Sequence, residues 1–340
     1  MDVDVDRAGR VFMSFYQYPG VPATVGVVTN KTGPWGPLIK PYPDWLWFKS
    51  DDCSKIQSVY RIAIDKCNRL WILETGYSEV TEEATNCSAK IIVFDLNTDK
   101  HIRTINIPND VARTKDGEVT LATPIIETEG PHCEHTTVYA ANVFGKLIIL
   151  KGKDVWSLEH QSFQPSPNNT PSGILSLAIS PKSFHENTKY LFYRPLTSTS
   201  LFFARTDELK FSMKDNHVNF FGAVDALPGQ AAAMAFASQG TLFFGLINDD
   251  AIGCYNQFRE LNKTNFGLVA KDKKRLSYIN GVKVIKPSLA HPQEELWVLS
   301  NQWRTTTSDT FMKNNSIKFR VLKGTVRNLV KNTICDLPHK

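Results

Sequence analysis

An all-β fold, a six-bladed β-propeller with four-stranded blades around a central channel, is predicted by three features of this 340-residue chain. One short aromatic and β-branched run with a polar or glycine lead recurs six times. A second apolar run follows each copy, and a third precedes most of them. Helical periodicity is scarce throughout. A three- or four-strand unit repeated six times closes most simply as a ring of six small sheets. Packing such sheets radially lets each face bury against a neighbour, and closing the ring removes free edges.

The leading copies are Gly9–Tyr16, Arg69–Thr75, Thr137–Asn142, Lys189–Arg194, Gly240–Leu246 and Glu295–Asn301. Each is too short and too rich in Val, Ile, Phe, Tyr and Trp for a helix. The following runs are Pro22–Thr29, Ala89–Leu96, Lys146–Leu150, Ser200–Arg205, Ala251–Tyr255 and Ile317–Leu322. The preceding run is clearest at Ser58–Asp65, Gly173–Ser180 and Ala232–Ala237. The one helix expected is a short peripheral one over Lys323–Asn332. An α/β alternative needs long amphipathic links, and the links here are rich in Pro, Asn and Gly.

Composition narrows the function classes. Lys plus Arg is 39 and Asp plus Glu 34, a net charge of +5, and the longest basic cluster is Lys271–Arg275, so nucleic-acid binding is excluded as the main task. No apolar run is long enough to span a bilayer. Seven Trp, ten Tyr and twenty Phe require a core and exclude intrinsic disorder. Six cysteines, at 53, 67, 87, 133, 254 and 335, are widely spaced with no CxxC pair, which reads as disulfides and not as a metal cluster. Of the fifteen possible connectivities, the propeller strand order favours Cys53–Cys87, Cys67–Cys133 and Cys254–Cys335. Five N-x-S/T sequons, at Asn30, Asn86, Asn168, Asn262 and Asn314, point with the cysteines to a secreted, extracellular glycoprotein. The opening Met1-Asp2-Val3-Asp4-Val5-Asp6 has no apolar signal-peptide core, so a fragment or processed form is expected; the alternative is a cytosolic protein with reduced cysteines.

The stretches Gly20–Thr24, Leu38–Trp45, Ser58–Trp71, Ala89–Leu96, Gly240–Leu246 with Ala251–Cys254, and Leu296–Asn301 together resemble the yellow / major royal jelly protein family of insects, in the family's order and across almost the whole chain. The resemblance implies secretion and a six-bladed propeller, in agreement with the repeat count. It also implies two departures. Family members begin several tens of residues earlier, so residues 1–340 are expected to form a single propeller domain whose N-terminal blade-closing segment is truncated, with Met1 inside an innermost strand. At Lys318 the family commonly carries Asn.

Propellers of this kind bind ligands at the channel mouth, where second strands end and innermost strands begin. Those ends are Glu74 and Thr75, Asn142 and Phe144, Arg194 and Pro195, Asn248, and Asn301; the innermost-strand starts add Gln57, Ser172, Gln230 and Asn280. Tyr193, Trp303 and Phe319 supply aromatic neighbours. Amides and hydroxyls beside aromatic walls suit a small aromatic ligand with polar groups, an amine or a catechol. The ligand-binding set is therefore Glu74, Thr75, Asn142, Phe144, Gln230, Asn248, Asn301, Lys318 and Phe319, with Asn301 and Thr75 on polar groups and Phe144 and Phe319 on the ring. The bland alternative is that the amides cap strand ends. An inward Lys318 would disfavour an amine: at an effective dielectric near 20, a like charge about 4 Å away costs on the order of 4 kcal/mol.

No HExxH, GxSxG, GxGxxG or Walker-type loop is present. His132-Cys133-Glu134-His135 reads as incidental surface histidines beside a disulfide. A central Ca²⁺ held by Glu74, Asn142, Asn248 and Asn301 has only one carboxylate. With no catalytic residue, cofactor or metal visible, a non-catalytic binder is expected. The family resemblance leaves two alternatives: dopachrome isomerisation in the melanin pathway, or a nutritional or signalling role without a specific small ligand. The oligomeric state is not encoded in any motif.

Overall fold

The computed structural model describes residues 1–17, 20–49, 52–76, 87–164, 173–182, 187–214, 217–301 and 319–337. Their strands form six antiparallel sheets, and the fold class is that of a six-bladed β-propeller. Blade 1 is β1 (Asp2–Val5), β2 (Val11–Ser14), β3 (Val25–Gly33) and β4 (Gly36–Pro41). Blade 2 is β5 (Val59–Ile64), β6 (Arg69–Glu74), β7 (Lys90–Asp95) and β8 (Lys100–Asn106). Blade 3 is β9 (Leu121–Glu129), β10 (His135–Asn142), β11 (Lys146–Lys151) and β12 (Asp154–Glu159). Blade 4 is β13 (Ile174–Ile179), β14 (Tyr190–Pro195), β15 (Leu201–Arg205) and β16 (Phe220–Ala223). Blade 5 is β17 (Ala231–Phe236), β18 (Thr241–Leu246), β19 (Ala251–Asn256) and β20 (Phe266–Lys271). Blade 6 has three strands among the described residues, β21 (Ile279–Ile285), β22 (Glu295–Asn301) and β23 (Phe319–Thr325). Every sheet is a meander of sequential neighbours.

The chain divides into two compact units. The first comprises Met1–Gln164 with Pro171–Ile174 and holds blades 1 to 3; the second includes Leu175–Lys340 and holds most of blade 4 with blades 5 and 6. Within each unit the hydrophobic cores lie between consecutive blades. Phe12, Val25, Val27 and Tyr42 of blade 1 pack with Ile62, Leu70, Ile72, Ile92 and Phe94 of blade 2. The intervening residues Trp71, Leu73, Ile91 and Val93 point the other way, into a core with Leu121, Val138, Ala140 and Ile148 of blade 3. Side chains alternate across a strand, so a central strand with both faces buried must be apolar without interruption. The inner four residues of β6, β7 and β11 meet that requirement. The second unit repeats the arrangement, with Leu242, Phe244 and Leu246 facing blade 4 and Phe243, Ile252 and Cys254 facing blade 6.

The turn that joins the first two strands of a blade explains the polar lead of the repeat. In blade 1, Asp6 accepts from the backbone N–H of Ala8 and Arg10 and pairs with the Arg10 guanidinium at 2.7 Å. Blade 2 reproduces it: Asp65 accepts from Cys67 and Arg69 N–H, pairs with Arg69, and also receives the Trp71 indole N–H at 2.9 Å. Both turns pass through a left-handed residue, Gly9 at φ 84° and Asn68 at φ 61°, and blade 5 uses Gly240 at φ 83° in the same place. Glycine and asparagine tolerate that conformation.

All three expected disulfides are present, with Cys53–Cys87, Cys67–Cys133 and Cys254–Cys335 bonded and no cysteine left free. The helical expectation needs correction. β23 runs through Thr325, and only Val326–Val330 is helical (α3), because Lys323 continues the ladder opposite Trp297. Among the described residues, two further short α-helices, α1 (Asn109–Ala112) and α2 (Thr206–Phe211), carry too few turns for a periodic signal. Asn30 is exposed on β3, Asn262 is half-buried with its oxygen accepting from Thr264, and the other three sequons lie outside the described residues.

Candidate functional site

In the first unit, the strand-end side chains turn inward to the backbone. Glu74, at the end of β6, is fully buried, and its carboxylate accepts from the N–H groups of Gln57 at 2.7 Å, Ser58 at 2.9 Å and Gly76 at 2.8 Å. Burial pushes its pKa up, while the three backbone donors and the Lys90 ammonium hold it down. Gly76 lies so close to Cys87 that an added Cβ would come within 2.3 Å of its carbonyl oxygen. Thr75 hydroxyl donates to the Leu121 carbonyl at 3.3 Å and accepts from the Leu121 N–H at 3.2 Å, joining blade 2 to blade 3. Asn142, buried at the end of β10, donates to the Ala112 carbonyl at 2.7 Å and accepts from Phe144 N–H at 3.0 Å and Thr120 N–H at 3.4 Å. Phe144 itself is half-buried. The oxygens assigned to a central cation at Glu74 and Asn142 are thus engaged by backbone donors, and among the described residues no group of three His, Cys, Asp or Glu side chains could hold a metal.

The strand ends of the second unit are organised differently. Gln230, half-buried at the start of β17, donates to the Thr197 carbonyl at 2.8 Å and accepts from the exposed Asn248 amide at 3.0 Å. Two of the expected ligand-binding residues therefore form one chain of amides, braced against the turn that leaves β14. Asn301 is buried at the end of β22, with its N–H shared by the Ser277 and Tyr278 carbonyls, and it lies directly across the ladder from half-buried Phe319. Ser172, Trp303 and Lys318 lie outside the described residues.

Arg194, near the end of β14, is the unusual member. It is fully buried, and one terminal nitrogen, Nη2, donates to the Ser198 carbonyl of the same turn. Its Nε and Nη1 atoms are buried without a hydrogen-bond partner. Burial presses its pKa down, to about 9, with no carboxylate among the described residues offsetting the effect. The sequence marks Arg194 as a strand-end residue but carries no signal that it lacks a counter-ion. Away from these ends, a crevice of about 210 Å³ opens between outer parts of blades 5 and 6, walled by Ile252, Ala270, Leu296, Val298 and Leu322. None of the expected ligand-binding residues lines it.

Comparison with known proteins places the chain. The family model for major royal jelly proteins matches residues 57–335. The chain belongs to that family. Major royal jelly protein 9 of Apis mellifera is 35% identical over 358 aligned positions, covering 99% of this chain and 82% of that protein. Major royal jelly protein 2 of the same species is 35% identical, covering 98% of this chain and 76% of that protein. Among solved structures, the PQQ-bound aldose sugar dehydrogenase of Streptomyces coelicolor is similar at a TM-score of 0.51, with 10% identity over 95% of this chain and 92% of that one. That likeness concerns fold alone. No helix among the described residues is long and apolar enough to cross a membrane.

Proposed function

We propose that this yellow / major royal jelly-type protein is secreted and holds a small aromatic molecule bearing polar groups, a biogenic amine or a catechol, at strand ends of the second unit, without catalysing its conversion. The supporting observation is the Asn248–Gln230–Thr197 amide chain. It is fixed in position by its own hydrogen bonds, with Asn248 exposed and Gln230 half-buried, so ordered amide groups stand where a ligand can reach them without reorganisation. Phe319, across from Asn301, supplies an aromatic side chain at the end of another strand of the same unit. Three disulfides with no free thiol suit an oxidising compartment and support export.

Calorimetric titration with serotonin, dopamine and dopachrome tests this reading, alongside the absorbance of dopachrome over time. Binding of an amine or catechol to the wild type, weakened at least tenfold by Gln230→Ala combined with Asn248→Ala, is expected. Loss of dopachrome absorbance in proportion to protein would replace the binder with an isomerising enzyme. No heat from any of the three, and no absorbance change, would leave the nutritional or signalling role.

A further inference from the structure

We infer that Arg194 is an anion-recognition residue, and that the group it receives is an oxyanion, either a free inorganic anion or the carboxylate of a small organic ligand. The inference concerns the charge of what binds, and it stands or falls independently of the aromatic reading.

A guanidinium removed from water keeps a penalty of several kcal/mol unless charge and hydrogen bonds compensate it. Three other buried or half-buried cations among the described residues have carboxylate partners: Arg10 has Asp6 and Asp99, Arg69 has Asp65, and Lys146 has Glu159. Arg194 is more deeply buried than any of them and has one carbonyl oxygen, that of Ser198. The two nitrogens without partners carry most of its five N–H donors. An apolar side chain of similar length would fill the same space without the penalty, so the charge itself needs a reason. Arginine matches the geometry of carboxylate, sulfate and phosphate oxygens better than any other side chain and keeps its proton when buried.

Placement supports the same conclusion. Arg194 lies near the end of a second strand, the position filled by Glu74 in blade 2 and Asn142 in blade 3, where the side chain meets neighbouring backbone amides. An acceptor there closes the strand end; a donor-only guanidinium leaves its own N–H groups unsatisfied. The turn that follows is half-buried over residues 196–199; its Ser198 carbonyl accepts from Arg194 and its Thr197 carbonyl from Gln230, while Thr199 is held by the Leu227 N–H and by Asp225. Arg194 and the Asn248–Gln230 amides are therefore tied to adjacent residues of one turn.

The test uses the whole chain in chloride buffer, with sodium sulfate or inorganic phosphate exchanged for chloride at constant ionic strength. Unfolding temperature and calorimetric heat are recorded for wild type, Arg194→Gln and Arg194→Lys. A saturable rise in Tm with sulfate or phosphate is expected for the wild type, absent in Arg194→Gln and present with at least tenfold weaker affinity in Arg194→Lys. A second arm compares 3,4-dihydroxyphenylacetate with dopamine, which share a ring and differ in charge; the carboxylate should bind at least tenfold more tightly, and Arg194→Gln should remove the preference. Should Arg194→Gln fail to fold, hydrogen–deuterium exchange of residues 196–200 in the wild type serves instead, with slower exchange expected on adding sulfate. Equal Tm shifts in wild type and Arg194→Gln, no anion effect on Tm or exchange, or tighter binding of dopamine than of its carboxylate partner would overturn the inference. An Arg194-dependent sulfate effect without binding of any catechol or indole would retain it and remove the aromatic reading, whereas amine binding without an anion effect would do the reverse.

Discussion

Glu74 and Arg194 lie near the ends of second strands, one in each three-blade unit, and both are fully buried. Glu74 meets three backbone N–H groups and so fastens the start of β5 to the end of β6. Arg194 meets one backbone carbonyl and leaves two nitrogens without a partner. Asn142 sides with Glu74, since both ends of its amide are taken by neighbouring backbone. The contrast separates two uses of buried polarity at one kind of position: in the first unit it serves the fold, and in the second it exceeds what the fold needs. A buried polar group with complete hydrogen bonding is costly to remove, whereas one left incomplete is costly to keep.

Substitutions at these positions should therefore differ in sign as well as in size. Glu74→Ala strands the N–H groups of Gln57, Ser58 and Gly76 together, and a loss of about 4 kcal/mol is expected in urea unfolding; a loss under about 1 kcal/mol would show that water replaces the carboxylate without cost. Asn142→Ala, which frees the Ala112 carbonyl and two N–H groups, should cost about 2 kcal/mol by the same measurement. Arg194→Met, in buffer free of oxyanions, should be neutral or stabilise by about 1 kcal/mol, because an uncompensated charge leaves and an apolar side chain fills its volume. If instead it destabilises as strongly as Glu74→Ala, the two strand ends do the same work and the comparison fails. Asn248→Ala, at an exposed amide, should change stability by no more than about 0.5 kcal/mol, so any effect on ligand affinity would report binding and not folding.

Much of the fold was legible because its signals are local. The run Leu70-Trp-Ile-Leu73 is apolar at every position since both faces of β6 are covered, and the Asp65 to Trp71 turn repeats the chemistry of Asp6 to Phe12. The cysteine pairing followed from strand direction once the repeat was counted. The beginning of the last helix was not legible, because Lys323 and Gly324 suit a strand edge only when β22 is there to pair with them. The strand-end residues were found by position, but their roles were not. Whether Glu74 faces a ligand or its own backbone depends on where Gln57 and Ser58 place their N–H groups, and those lie sixteen and seventeen residues away in sequence. The isolation of Arg194 is harder still to read, since it consists of what its surroundings lack.

Side chains along β6 alternate between two seams. Ile72 belongs to the seam with blade 1 and Leu73 to the seam with blade 3, although they are adjacent in the chain. Inserting a single residue before Leu70 would exchange the allegiance of every following side chain, delivering Trp71 to the space shaped for smaller residues and leaving its own seam underfilled. Neighbouring codons in this strand thus answer to different interfaces, and natural length variation should be confined to the loops between strands.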